Sequence, residues 1–238
     1  MLFPLYLITI GMCLLTRLSY TLAEQFEIFK VLSYLTNVGG IALLVATIVL
    51  TFVVVVRRFY INLFKEEGYL TNVLPVKIDI HILSKFICSL IFNVLAALVV
   101  IGSLIIMYYS LELTENISSF IEIFKNAIFY FILLVILTLQ TYEMLVCAAY
   151  SIAQRKSKNK VLYSIISGIG LYIIGQIIAL TTILIVSKIQ PDYLELLQST
   201  DIGTIKTTLI IGNLLVFINI IIYYFITIWA LNKKMDLE

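Results

Sequence analysis

Six runs of apolar residues, each about as long as a membrane span, constrain this chain more than any other feature of its sequence. A hydrocarbon core about 30 Å thick is crossed by roughly 20 helical residues. The chain is 62% hydrophobic and only 13% charged, so no soluble core could hide this much apolar surface. The sequence therefore predicts an all-α, polytopic membrane protein, because only helices and closed barrels satisfy their backbone groups in lipid.

We predict a single transmembrane domain over residues 1–238. Its six spans are expected at about 2–22, 31–56, 86–109, 127–153, 161–187 and 207–231. The first run resembles a signal peptide in length, but it lacks a basic leader and Arg17 interrupts it. We therefore interpret this run as a retained span.

The basic residues predict the orientation of the spans, because Lys and Arg accumulate in cytoplasmic segments. With both termini in the cytoplasm, the inner segments hold most of the 16 basic residues. These are Arg57, Arg58, Lys65, Lys77, Lys85, Arg155, Lys156, Lys158, Lys160, Lys233 and Lys234. An even number of spans agrees with this arrangement. The net charge of +2 is too small to suggest nucleic-acid binding.

The longest polar interruption is KEEGYLTNVLPVKIDIHILSK, from Lys65 to Lys85. This run and the residues just before it are predicted to form a cytoplasmic loop over 57–85. Arg57 to Glu67 is expected to form a short interfacial helix that Gly68 ends, since glycine tolerates the left-handed conformation. Pro75 is expected to keep that helix from continuing into the next span.

This loop carries a resemblance to a known family. The run E-G-Y-L-T-x-x-L-P-V, followed by x-x-L-S-K, resembles the first cytoplasmic loop of ABC-2 type transporter permeases, the membrane subunits of ATP-driven exporters in low-GC Gram-positive bacteria. The stretch Ala149 to Gln154 and the ending Lys233 to Glu238 are similar to further parts of these permeases. The chain departs from the family at Ala153, where a glycine is usual, and before the first span, where a lysine-rich amphipathic helix is usual.

The resemblance implies a permease subunit in the bacterial cytoplasmic membrane that pairs with an identical or similar permease subunit. It also implies a separate ABC ATPase subunit that binds ATP and Mg²⁺, so this chain would be no enzyme and would hold no cofactor, metal or catalytic residue. In agreement, the sequence contains no G-x-x-x-x-G-K-[ST] phosphate loop. The implied cargo is a peptide antibiotic, a lipid or another amphiphile.

The same resemblance implies that the loop couples the ATPase to transport. Apolar docking contacts are expected from Phe64, Tyr69, Leu70 and Leu74. Glu66, Glu67 and Lys77 are expected to select the partner by charge complementarity. Gly68 and Pro75 are expected to shape the loop.

Glu143 is the clearest ionisable residue inside a predicted span. A carboxylate there costs at least about 2.5 to 3.5 kcal/mol unless it is paired, protonated or in contact with water, so it should face the interior of the bundle. Gln140 shares its helical face. Candidate hydrogen-bond partners on other spans are Asn93, Gln176, Asn213 and Asn219. Glu143 is either part of a substrate or proton path or a structural residue that joins two helices.

Small and aromatic residues indicate packing rather than chemistry. Ser164, Gly168, Gly175 and Ala179 form a stripe on span five that permits close approach of another helix. Tyrosines near the ends of the spans, Tyr223 and Tyr224 among them, are predicted to be interfacial anchors.

Three other functions were weighed against the permease. An intramembrane protease is disfavoured, because Glu66 and Glu67 lie in a loop and His81 is the only histidine. A secondary transporter is a stronger alternative, although the spans show one clear intramembrane carboxylate and no convincing internal repeat. A passive membrane immunity protein, which would need no ATPase, also stays open.

Overall fold

A computed structural model of the chain describes residues 2–23, 26–64, 78–108, 113–155, 159–189 and 202–232. These form six helices, namely α1 (Leu2–Ala23), α2 (Ile28–Phe64), α3 (Ile78–Tyr108), α4 (Leu113–Ala153), α5 (Lys160–Ile189) and α6 (Ile202–Asn232). All six are long and apolar enough to cross a membrane, and the described ranges contain no strand. The predicted fold class is confirmed, while the cytoplasmic position of both termini stays a prediction.

Three helices extend well beyond their predicted spans. The fourth span is predicted to begin at about residue 127, but α4 begins at Leu113. The other two, α2 and α3, extend into the predicted 57–85 loop. The sequence predicts a separate interfacial helix that begins at Arg57, but α2 continues through that position to Phe64. The third span is predicted to begin near Phe86, but α3 begins at Ile78. Both extensions bury apolar side chains, Phe59 on α2 and Ile82 on α3, and this packing favours continued helix over loop.

The described residues of Met1–Val54 and Ile91–Ile123 form one compact unit. In it, α1 packs against the first part of α2 along a row of polar contacts, which we name the α1–α2 seam. Tyr6 and Thr51 hydroxyls lie 3.2 Å apart, and those of Thr9 and Thr47 lie 2.7 Å apart. Further along, Thr16 donates to the carbonyl of Thr36 at 3.0 Å and Asn37 donates to Tyr20 at 3.0 Å.

A glycine pair on α2 lets the two helices of the seam approach closely. A Cβ atom added at Gly39 would lie 2.8 Å from Cε of Met12, and one added at Gly40 would lie 3.4 Å from the hydroxyl oxygen of Thr16. Small residues allow such approach between membrane helices, where packing and hydrogen bonds replace the hydrophobic effect. Smaller apolar clusters, around Ala96 and around Met107, complete the core of this unit.

The described residues of Val55–Leu90 and Phe124–Glu238 form the second compact unit. Its core joins α3, α4, α5 and α6 through Ile82, Met144, Ala148, Ala149, Leu171, Ile220, Tyr223 and Leu231. Two positions of the predicted small-residue stripe on α5 make close contacts. A Cβ added at Gly168 would lie 3.6 Å from Cβ of Ala149, and one added at Gly175 would lie 2.6 Å from the Tyr223 hydroxyl oxygen.

Arg155, just after the end of α4, contacts the end of α6 in the second unit. Its guanidinium donates to the carbonyls of Trp229 at 2.9 Å and Ala230 at 3.3 Å, and its Cζ lies 3.9 Å from the centroid of the Trp229 ring. The last carbonyls of a helix lack partners within the helix, so this arginine caps α6. The contact places the ends of α4 and α6 on the same side of the unit.

Candidate functional site

A cavity of about 230 Å³ lies within the second unit, between α4, α5 and α6. We name it the α4–α6 cavity. It is lined by Leu134, Thr138, Thr141, Tyr142, Leu145, Tyr172, Gly175, Gln176, Ala179, Gly212, Leu215, Val216, Asn219 and Tyr223. Among these described residues, polar side chains come from all three helices and none is charged.

The cavity lies at the middle of the apolar stretches of its three helices. Those stretches are Ala127–Ala153, Lys160–Lys188 and Ile205–Leu231. Thr141, Gly175 and Asn219 each lie one residue past the midpoint of their stretch, and all three line the cavity. Transporters commonly hold their substrate sites at this depth.

Four polar side chains of the cavity wall donate hydrogen bonds to backbone carbonyls. Thr138 and Thr141 each donate to a carbonyl of α4 at 2.8 Å. Asn219 donates its amide to the backbone of α6 at 3.2 Å, and Tyr223 donates to the carbonyl of Leu171 on α5 at 3.2 Å. These groups still have oxygen lone pairs that can accept hydrogen bonds.

Asn219 contributes a buried hydrogen-bond acceptor to the cavity wall. Its Oδ1 atom is buried and has no hydrogen-bond partner among the described residues. It lies 3.6 Å from the position that a Cβ at Gly175 would occupy. A buried acceptor without a donor carries a desolvation cost that a suitable ligand would relieve.

A second polar feature lies on a different face of α4. Gln140, Glu143, Met144, Cys147 and Ser151 recur at helical spacing, and none exposes more than 2% of its surface. None of the five is among the residues that line the α4–α6 cavity. The helix thus presents one polar face to the cavity and another to the packed interior of the unit.

Gln140 joins α4 to α3 on this buried face. Its amide nitrogen donates to the hydroxyl oxygen of Ser89 at 2.5 Å, and both side chains are buried. Glu143, one helical turn further, has 1% of its surface exposed. A carboxyl at this depth costs about 2.5 to 3.5 kcal/mol unless it is neutral or well solvated by protein groups.

The helical segments that flank residues 65–77 pack against α4 and α6. The ring of Tyr60, near the end of α2, lies 5.1 Å from the ring of Tyr150 on α4. Near the start of α3, the backbone carbonyl of Asp79 accepts a hydrogen bond of 3.4 Å from Tyr224 on α6. Both sides of the predicted coupling loop therefore contact the helices that form the cavity.

The predicted site residues fall into three groups. Glu66, Glu67, Gly68, Tyr69, Leu70, Leu74, Pro75 and Lys77 lie outside the described residues, as does the side chain of Phe64. Gln140 and Glu143 share the buried face of α4. Gln176, one of the candidate partners of Glu143, lines the cavity.

Most of the cavity wall was not predicted from the sequence, and the prediction for one of its tyrosines was wrong. Tyr223, predicted to be an interfacial anchor, has only 3% of its surface exposed and belongs to the core. Thr138, Thr141 and Tyr142 recur at the spacing of one helical face, a signal that the sequence does contain. That spacing does not reveal which neighbours the face meets.

Comparisons with known proteins do not identify the chain. No protein-family model matches it, no curated protein matches it, and no solved structure matches it. The relation to ABC-2 type permeases therefore stays a prediction from the sequence. Within the described ranges, no group of three or more His, Cys, Asp or Glu side chains is placed to hold a metal ion.

Proposed function

We propose that the chain is a membrane transport protein, and more specifically the permease subunit of an ATP-driven exporter of the ABC-2 type. The observation that carries the proposal is the α4–α6 cavity, an uncharged polar site at the middle depth of three membrane helices. Secondary transporters hold their substrates near this depth, and we infer that the cargo of this chain binds there too.

The source of energy is inferred from the loop sequence. The resemblance of residues 67–85 to the coupling loop of ABC-2 permeases supports docking of a cytoplasmic ATPase subunit that binds ATP and Mg²⁺. Two copies of this chain, or this chain and a similar permease, would face two ATPase subunits in the bacterial cytoplasmic membrane. Alternating access would then move an amphiphile outward.

The packing around the loop supports a route from ATPase to cavity. A push on residues 65–77 acts on α2 and α3, whose ends contact Tyr150 on α4 and Tyr224 on α6. Movement of α3 also reaches α4 through the hydrogen bond between Ser89 and Gln140. Gln140 directly precedes Thr141 of the cavity wall.

The test is recovery of an ATPase with the tagged chain. The chain is expressed in its native host, purified in mild detergent, and assayed for co-purifying proteins and ATP hydrolysis. We expect an ATP-binding subunit that is lost when Tyr69 and Leu74 are both replaced by alanine. A folded chain that brings down no ATPase would contradict the proposal and favour a secondary transporter or a passive immunity protein.

A matched control separates docking from general loss of apolar surface. Tyr34 and Leu35 on α2 expose 72% and 65% of their surface. Replacing both by alanine removes the same two side-chain types from a surface predicted to face lipid. This control should keep the ATPase, so its loss from both variants would show that the loop has no special role.

A secondary transporter is the second candidate, and buried Glu143 is the observation that favours it. Glu143→Gln keeps the shape of the side chain but removes its ability to bind and release a proton. If ATP drives transport, the variant should still export; if a proton gradient drives it, transport should be abolished. Glu27→Gln is the control, because the side chain of Glu27 is 93% exposed. Comparing ATP-driven and gradient-driven flux in proteoliposomes separates the two candidates.

A further inference from the structure

We propose that the α4–α6 cavity binds the uncharged head group of an amphiphile through the hydrogen-bond donors of that head group, either a hydroxyl or a carboxamide. This inference rests on the proposed transport function, because it names the substrate class of the same cavity. It is argued from the hydrogen bonds, charge and size of the cavity.

The hydrogen bonds decide which polarity the ligand must have. A threonine or tyrosine hydroxyl has one hydrogen, and those of Thr138, Thr141 and Tyr223 already point to backbone carbonyls. The amide of Asn219 donates to its own helix, while its buried Oδ1 has no partner in the described part of the chain. Tyr142, Tyr172 and Gln176 also line the wall and can donate hydrogens. The buried wall atom that lacks a partner among the described residues is the Asn219 Oδ1 acceptor, so a ligand gains most by donating a hydrogen to it.

The absence of charge in the described wall selects a neutral ligand. A charged head group moved from water to this depth would lose its hydration, and no side chain of opposite charge lines the described cavity to compensate. A hydroxyl or carboxamide loses much less on transfer and recovers it through the wall acceptors. The cavity thus discriminates against ammonium, phosphate and carboxylate groups.

The size of the cavity selects part of an amphiphile rather than a whole one. A water molecule occupies about 30 Å³ in the liquid, so a cavity of about 230 Å³ has room for a head group and the first carbons of a chain. Tyr142 and Tyr172 line the cavity with almost half of their surface exposed. A hydrocarbon chain can leave the cavity beside these rings and continue along the apolar surface of the helices.

The test measures binding rather than transport. The full chain, with any co-purified subunits, is placed in phosphatidylcholine nanodiscs, whose head groups carry no hydrogen-bond donor. A dodecanamide that bears a diazirine near its head group is photolysed, and labelled peptides are identified by mass spectrometry. We expect labels on the cavity-lining parts of α4, α5 and α6.

A series of competitors with the same chain length tests the chemistry of the head group. Unlabelled dodecanamide and dodecanol should compete with the probe. Dodecyl methyl ether should not compete, because it only accepts hydrogen bonds. Dodecyltrimethylammonium should not compete either, because it is charged and has no donor. Equal competition by the ether would overturn the donor requirement, and stronger competition by dodecylammonium would overturn the preference for a neutral group.

Two kinds of variant test the location. Asn219→Leu removes the buried acceptor and should weaken dodecanamide binding about tenfold, which corresponds to one hydrogen bond. Gly212→Leu should abolish labelling by filling the cavity, and Gly170→Leu is its control because an added Cβ at Gly170 would have nothing within 4 Å. If Gly212→Leu does not fold, Ala179→Leu fills the cavity from α5. Unchanged labelling in a folded filled variant would overturn the proposal.

The last arm separates the two sources of such a head group. Diacylglycerol in the nanodisc has a neutral hydroxyl, and its displacement of the probe would identify a membrane lipid as the ligand. Displacement by free dodecanamide but not by diacylglycerol would identify an exported amphiphile. If an ATPase co-purifies with the chain but the probe does not label the cavity, only this inference is rejected. If the probe labels the cavity but no ATPase co-purifies, only the proposed ATP-driven export is rejected.

Discussion

The α1–α2 seam of the first unit and the α4–α6 cavity of the second use similar side chains to different ends. In the seam, the hydroxyls of Thr9 and Thr47 face each other at 2.7 Å across two closely packed helices. In the cavity, the hydroxyls of Thr138 and Thr141 bond only to their own backbone and face open space. Polar groups in a membrane join helices where they meet one another, whereas in the cavity they line open space.

The buried face of α4 lies between these two extremes. Gln140 forms a hydrogen bond to Ser89 on another helix, as the seam residues do across their helices. It also directly precedes Thr141 of the cavity wall. A link that is both packed and close to the site is suited to transmit movement of α3 to the cavity. Substitutions in the cavity wall, on the buried face of α4 and in the seam test this contrast.

Gly175→Ala should lower the free energy of unfolding by about 1 to 3 kcal/mol, the usual cost of overpacking. Its new Cβ would lie 2.6 Å from the Tyr223 hydroxyl oxygen and would disturb the hydrogen bond to Leu171. Gly170→Ala is the matched control on the same helix, since nothing lies within 4 Å of its added Cβ. The measurement is unfolding by SDS titration in mixed micelles, and equal stability of the two variants would show that α5 and α6 do not pack as described.

Gln140→Leu should lower the free energy of unfolding by about 1 kcal/mol, because it removes an interhelical hydrogen bond while keeping most of the volume. The same titration on Ser89→Ala and on the double variant completes a double-mutant cycle. We expect a coupling energy of about 0.6 to 1.7 kcal/mol. Additive losses would show that the two side chains do not interact and would remove the proposed link between α3 and the cavity.

The pair Thr9→Val and Thr47→Val should show a smaller coupling, about 0.5 kcal/mol. Each hydroxyl also lies within hydrogen-bond distance of a carbonyl of its own helix, at 2.9 and 2.8 Å. Neither therefore depends wholly on the other. A cycle measured in the same micelles tests this, and a coupling above that of Gln140 with Ser89 would reverse the proposed ranking of the two units.

Gly212→Ala should have the smallest effect on stability, between no change and a gain of about 1 kcal/mol from helix propensity. Its Cβ would enter the cavity at an ordinary contact distance of 3.5 Å from Leu134. Thermal unfolding in detergent provides the measurement. A clear loss of stability would mean that the space beside α6 is filled, contrary to the cavity that the proposed function requires.

Parts of the site were predictable from the sequence, and others were not. Glu143 and Gln140 could be assigned to one face of α4 because an ionisable group cannot face lipid cheaply and because helical spacing is fixed. Gln176 lies within a span, as predicted, and lines the cavity. Its true surroundings include Asn219, which lies on a helix far away in sequence.

The apolar runs alone are enough to predict a helical chain with six membrane spans. Hydrocarbon leaves a backbone no partner outside its own helix, so about 20 apolar residues are enough to specify a span. The packing of the helices was needed to show that α2 continues to Phe64, that Tyr223 is buried and that three helices leave a cavity between them. The apolar content of a helix does not depend on its rotation about its own axis. Packing does, because it depends on glycines and hydrogen bonds contributed by distant segments.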